Sequence, residues 1–387
     1  MSLACDDTLD DWRIDLGRLP ATADFVAKVV RDRYPRLDPP VHARWRHFVF
    51  GGRNLWDEIV KSRAWPLPEV RARAAFDLVL MSVLMDAGAG SAWCYRDTAT
   101  GLTAARSEGL ALASLRWFEA GGLSDDPRDP LRVDAAALRR VDANAIGAAF
   151  QVSERNPLLG VEGRAHLLNR LGDALLARAE LFGSADTLRP GGLFDALARR
   201  AGGAALPASL ILSTLLDGLG SIWEHRPSLD GVPLGDCWLH PAFAGGAPAQ
   251  RYVPLHKLSQ WLTYSLLEPL QSAGVVVCDI HELTGLAEYR NGGLFVDMGV
   301  LVPRATDARS REYTVSDSFV VAWRALTVAL LDRIAPLVRD RLGVDATSFP
   351  LAKVLEGGTW AAGRLIARDK RTDGGPPFRI SSDGTVF

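Results

Sequence analysis

Residues 318–342, SFVVAWRALTVALLDRIAPLVRDRL, carry a strong apolar stripe from Ser318 to Leu342 and predict the longest helix of a helical protein. The same patterning recurs outward from it. Ala23 to Tyr34 sets Phe25, Val26, Val29 and Val30 on one face at spacings of three and four. Val70 to Met85 follows Pro66 and Pro68 and stops at Gly88-Ala-Gly90, and Ser107 to Ala120 stops at Gly121-Gly122. Gly163 to Phe182, Leu193 to Arg200 and Leu206 to Trp223 read as helices, as does His256 to Ser272, which Pro269 is expected to kink or shorten. Strand signals are few. Gly274 to Cys278 is a short β-branched run, and Leu294 to Val302 is an apolar run that equally suits the start of a helix. Phe378 to Phe387 reads as a hairpin or docked tail around Asp383-Gly384.

The expectation is a mainly α fold: one large helical domain over residues 1–387, with a few short strands near the C-terminal half. Gly122 to Pro130 and Leu188 to Gly192 are the best boundary stretches, but both are short. They leave an N-terminal helical subdomain, 1–122, and a site-bearing part, 206–387, as the subdivision the pattern allows.

Composition narrows the function classes. The 387 residues are 48% hydrophobic and 23% charged, enough for a large core and ordinary for a globular protein. Forty-four basic against 46 acidic residues give a net charge of −2, with no electrostatic footprint for nucleic acid or an anionic membrane. Cys5, Cys94, Cys237 and Cys278 are far apart and form no CxxC pair, which suits a reducing compartment. Met1 to Asp7 is acidic and has no apolar signal core. The most apolar stretch, Ala74 to Gly90, is too short for a membrane span and contains Asp77 and Asp86, so it reads as a buried helix. A cytoplasmic protein with no nucleic-acid or membrane partner is expected.

The standard motifs are absent: no GxxxxGK[ST] loop, GxGxxG turn, HExxH helix or GxSxG elbow occurs. Three less specific clusters remain. In Leu255 to Tyr264, helical spacing puts Lys257, Gln260, Trp261 and Tyr264 on one stripe. Aromatic faces stack planar rings, amides read ring edges and lysine binds anions. The bland alternative is a half-buried helix with snorkelling Lys and Tyr. Glu288 to Asp297 gathers Glu288, Arg290, Asn291 and Asp297 around Gly292-Gly293, where glycines let backbone approach a ligand and an apolar flank raises a carboxyl pKa. Its bland alternative is a charged turn with Arg290 paired to Glu288 or Asp297. Finally, Lys353 precedes Gly357-Gly358-Thr359-Trp360 and Arg364. Thr359 as cap of a helix starting at Trp360 would offer free N–H groups to a phosphate, with Lys353, Arg364 or Arg368 adding charge; an ordinary capped helix is the alternative. Asp86, ahead of a small-residue loop, reads as a cap or a pocket acid. Trp223 to Arg226 and Cys237 to His240 read as structural polar-aromatic turns. Cys278, His281 and Glu282 are the one tempting metal trio, and no metal or organic cofactor is expected.

At these residues the chain resembles a family of bacterial and fungal proteins attached genetically to a uracil-catabolism pathway. The resemblance rests on Leu84 to Gly90, Arg106 to Leu110, His256 to Ser265, Glu288 to Gly293 and Ser382 to Phe387, and spans nearly the whole chain. It implies a pathway and no particular reaction. A remoter similarity implies a reaction. Queuosine 5′-phosphate hydrolases are helical N-glycosidases that resemble helix-hairpin-helix DNA glycosylases, and they carry a Lys-x-x-Gln helix followed by an Asp-Tyr-Arg segment. Lys257-Leu-Ser-Gln260 and Glu288-Tyr289-Arg290 match that order 31 residues apart, with Glu standing where that family has Asp.

This resemblance implies hydrolysis of the N-ribosidic bond of a small nucleotide or ribosylurea-like substrate. Glu288 would meet the charge that develops on the sugar, with Asp297 as a second acid. Lys257 would hold a phosphate or sugar hydroxyl, and Trp261 and Tyr264 would stack on the base. Two alternatives come from other classes: a non-enzymatic scaffold of the pathway's enzymes, and a metal-dependent hydrolase of a ring-opened intermediate.

Overall fold

The computed structural model describes residues 1–183 and 188–381. The fold is mainly α. Ser318–Leu342 is one unbroken helix of 25 residues, the longest among the described residues. Leu19–Arg33, Pro68–Leu84, Arg106–Glu119, Val161–Ala177, Gly192–Ala201, Ala208–Leu219 and Lys257–Ser272 lie where apolar periodicity puts them. The strands among the described residues pair only two by two, and most of the pairs are antiparallel. Val277–Cys278 runs parallel to Leu206–Pro207. Leu294 to Val302 divides: its first residues end the helix Tyr289–Asp297, and Leu301–Pro303 pairs with Trp12–Ile14. Arg379–Ser381 pairs in parallel with Glu312–Thr314, and the expected turn at Asp383-Gly384 lies outside the described residues.

The chain forms two compact units, each made of separated segments. The first combines residues 1–42, 226–260 and 281–381; the second combines 43–225 and 261–280. Gly122 to Pro130 and Leu188 to Gly192 both fall inside the second unit.

In the first unit, the helices Leu19–Arg33 and Ser318–Leu342 pack together, and an aromatic cluster forms the core. Trp12 and Tyr313 stack on Phe319 at 4.5 and 4.4 Å, with Phe378 edge-on to all three. The Trp12 indole donates to the Phe319 carbonyl at 2.9 Å, so this buried polar edge is satisfied. The helix Trp360–Lys370 lies against Tyr289–Asp297 at Gly363, where a Cβ would run into the Arg290 carbonyl.

In the second unit, the helix Pro68–Leu84 is buried on all sides from Ala74 onward. Its one buried carboxylate, Asp77, accepts from Arg189 Nε at 2.9 Å, the Gly191 amide at 2.5 Å and the Val133 amide at 3.1 Å. Those donors make its burial tolerable. Pro269 does not shorten its helix, which runs on to Ser272. The carbonyl that its missing N–H would have bonded, that of Ser265, instead accepts the Trp45 indole N–H at 2.7 Å.

Candidate functional site

Asp236 organises the polar centre of the first unit. It is 4% exposed and accepts both guanidinium nitrogens of Arg324, at 2.8 and 2.7 Å. It also accepts the Trp238 indole at 2.7 Å and the backbone N–H of Lys257 at 2.9 Å. Its carbonyl takes the amides of Leu255 and His256, and His256 adopts a positive φ of 45° to allow this. The start of the helix Lys257–Ser272 is therefore fastened to Asp236. Burial pushes the Asp236 carboxyl up, but the Arg324 charge and the three donors outweigh burial and hold it well below the usual carboxylate range.

Arg324 carries the connection onward. Its Nε donates to the Ala287 carbonyl at 3.1 Å, immediately before Glu288. Lys257 and Glu288, 31 residues apart, are thus tied to one guanidinium–carboxylate pair.

Glu288 is the N-cap of the helix Tyr289–Asp297. Its two carboxylate oxygens accept the amides of Arg290 at 2.5 Å and Asn291 at 2.7 Å. It is 8% exposed. Burial pushes its carboxyl above its ordinary value, against those two N–H bonds and the nearby charges of Lys257 and His42. His42 in turn meets Glu356 at 2.7 Å, with both side chains buried. The buried Glu288 carboxylate therefore feels a lysine and a histidine that is itself paired with a second glutamate, an arrangement suited to moving a proton or meeting developing positive charge.

Arg290 donates to the Gly374 carbonyl at 2.6 Å, and its guanidinium lies over the Tyr289 ring. Asn291 is fully buried, three residues after the cap, and Gln260 is 5% exposed in the first turn of the Lys257 helix. Trp261 and Tyr264 belong to the second unit. There the Arg44 guanidinium lies over the Trp261 ring at 5.5 Å, and His47 meets that ring edge-on. Asp86 pairs with Arg44 at 3.2 Å, both of them buried.

Asp297 does not join Glu288. The intervening helix rises roughly 13 Å, beyond the carboxylate separations of about 5–9.5 Å used by glycosidases. Both Asp297 oxygens are engaged by Arg371, at 2.8 and 2.6 Å, and its side chain is 1% exposed. The role of second acid is withdrawn from it. Asp297→Asn is expected to destabilise the protein by about 1–3 kcal/mol by leaving Arg371 short of a partner, and to leave turnover per folded molecule unchanged. Thermal melting and assay of the same preparation check this.

The helix start expected at Trp360 is also corrected. Residues 351–370 are helical throughout, with Leu355–Thr359 forming a π turn between Leu351–Val354 and Trp360–Lys370. Thr359 has φ −65° and makes no capping bond, so no free helix terminus is available to a phosphate. Gly357 and Gly358 serve packing instead: a Cβ at Gly357 would press on Pro39, and one at Gly358 on Val26 and Val30. Lys353 donates to the Ser348 carbonyl at 3.0 Å, and the Arg364 guanidinium lies over the Trp360 ring.

Asp236, Arg324, His42 and Glu356 were not singled out from the sequence. Arg324 had a signal, a charge inside the apolar stripe of the longest helix. His42 and Glu356 had none, because their partners are remote in sequence. Among the described residues, no group of three or more His, Cys, Asp and Glu side chains is arranged to hold a metal ion, and Cys278 donates to Asp279. No described helix is long and apolar enough to cross a membrane.

A family model described as "Protein of unknown function (DUF1688)" matches residues 1–387. Protein urg3 of Schizosaccharomyces pombe is 40% identical over 392 residues, covering 98% of this chain and 93% of its own length. Uracil catabolism protein 4 of Lachancea kluyveri is 38% identical over 408 residues, covering 97% of this chain and 92% of its own length.

Proposed function

Because this chain belongs to the DUF1688 family and is similar over nearly its whole length to a protein named for uracil catabolism, we propose that it acts in uracil breakdown, as a hydrolase of an N-ribosidic bond. The observation that carries the reaction class is the fastening of the Lys257 and Glu288 segments to one buried ion pair. Both are buried, both are tied to the Asp236–Arg324 pair, and Glu288 feels the Lys257 charge.

Breaking a C1′–N bond leaves positive charge on the sugar. Glu288 as carboxylate stabilises that charge and takes the proton of an attacking water. The water oxygen bonds to C1′, the C1′–N bond breaks, and the leaving nitrogen keeps the electron pair and takes up a proton. A carboxyl held above its ordinary value by burial is a stronger base for that step than an exposed one. Lys257 holds the 5′-phosphate or a sugar hydroxyl, and no organic cofactor is required.

The test is incubation with uridine 5′-phosphate, ribosylurea and ribosylurea 5′-phosphate, following release of ribose or ribose phosphate. Release from at least one is expected. No release from any of the three by folded protein would overturn the reaction class.

A further inference from the structure

Among the described residues of the first unit, three buried amide or hydroxyl side chains carry polar atoms with no protein partner. The side chain of Asn291 is fully buried with neither its amide oxygen nor its amide nitrogen hydrogen-bonded. Gln260 Oε1 and Thr359 Oγ1 are likewise without partners, in residues 5% and 0% exposed. A buried hydroxyl or amide left unpaired costs on the order of 1–3 kcal/mol, so native proteins seldom keep one without a use, and this unit keeps three.

Their positions relate all three to Glu288. Asn291 donates its backbone N–H to that carboxylate. Gln260 lies one turn after Lys257, whose charge Glu288 feels. Thr359 lies one turn before Gly363, which abuts the Arg290 carbonyl, and three residues after Glu356, the partner of His42. A helical threonine ordinarily returns its hydroxyl to the carbonyl four residues back. The π turn Leu355–Thr359 breaks that spacing and leaves the hydroxyl over.

A primary amide carries one donor face and one acceptor face. Its complement is an –NH–C(=O)– edge, as in an imide ring or a ureido group. No net charge is offered at these three residues, so they do not compensate the desolvation of an anionic leaving portion and suit a neutral one. We propose that Asn291, Gln260 and Thr359 recognise the neutral –NH–C(=O)– edge of the substrate's nitrogenous portion. The proposal rests on the N-ribosyl reading for the bond that is broken and adds the chemical class of the leaving group.

Binding tests it without turnover. Isothermal titration with uridine 5′-phosphate and with 3-methyluridine 5′-phosphate compares an intact edge with one whose N–H is removed. Wild type is expected to bind the methylated nucleotide on the order of 10- to 100-fold more weakly, because the site's amide is left unpaired. Asn291→Leu is expected to bind the two alike. Without ligand it should melt above wild type, since an unpaired buried amide has been replaced by an apolar group of similar volume, and Gln260→Met should also melt higher. Equal affinity of wild type for the two nucleotides, no binding of either, or lowered melting of both variants would overturn the proposal. Discrimination by a protein that releases no ribose phosphate would keep this recognition face and remove the hydrolase reading.

Discussion

Glu288→Gln is expected to lower turnover on the order of 100- to 1000-fold, the usual consequence of losing one preorganised charge that meets a transition state. Substrate affinity should change little, because Lys257, Gln260 and Asn291 keep their places. The cap does not survive whole. Glu288 accepts two backbone amides, and glutamine offers only one acceptor oxygen to them. A stability loss of about 1 kcal/mol is therefore expected alongside the loss of turnover. The two effects separate by pH. Burial holds the wild-type carboxyl above its ordinary value, so wild-type stability falls as pH rises from that ordinary value through the raised one. Glu288→Gln removes this slope. Turnover, affinity and melting temperature measured on one preparation distinguish the roles. A variant that loses stability and keeps wild-type turnover per folded molecule would make Glu288 a cap and nothing more.

Asp236→Asn is expected to produce the largest loss of stability, about 3–5 kcal/mol, because it leaves the Arg324 guanidinium buried without its carboxylate. Arg324 is 1% exposed, so solvent offers it little compensation. The pH dependence has the opposite sign to that of Glu288. The Asp236 carboxyl is held far below its ordinary value, so its stabilisation is complete above that value and is lost as pH falls toward the folded one. Acid unfolding of Asp236→Asn should therefore show a flatter acid limb than wild type. Asp236 touches no reacting atom here; it positions Lys257 and, through Arg324, Glu288. A double variant, Asp236→Leu with Arg324→Met, removes both charges and should recover much of the stability, as paired apolar replacements of buried ion pairs do. Turnover should stay low in it, since neither the Lys257 amide nor the Ala287 carbonyl would have its partner. Recovery of turnover together with stability would make the pair structural only. Urea unfolding and single-turnover assays on the three proteins decide this.

How far the sequence carried these conclusions depends on the range of the interactions. Apolar periodicity is local, and it placed Ser318–Leu342 to the residue and the other long helices to within a few positions. That Pro269 would leave its helix at full length was not legible, because the partner that relieves the freed Ser265 carbonyl, Trp45, lies 220 residues from it. Gly357-Gly358 misled because adjacent glycines ordinarily end helices, whereas here a packed neighbour, the Val26 and Val30 face, demands positions without side chains. Glu288 and Lys257 were legible as motif residues. Asp297 looked equivalent to Glu288 in the same short segment, and only its pairing with Arg371, 74 residues on, separates the two. Asp236–Arg324 and His42–Glu356 span 88 and 314 residues, and no window of sequence contains both members of the second pair together with its surroundings.

The fragments released identify the bond that is broken. Wild-type protein is incubated with ribosylurea 5′-phosphate and with uridine 5′-phosphate, and the products are read by mass spectrometry. Ribose 5-phosphate together with free urea or free uracil is expected from wild type, reduced on the order of 100-fold or more in Glu288→Gln. Products in which the sugar remains bonded to nitrogen, or ribose 5-phosphate formed equally well by Glu288→Gln, would contradict that expectation.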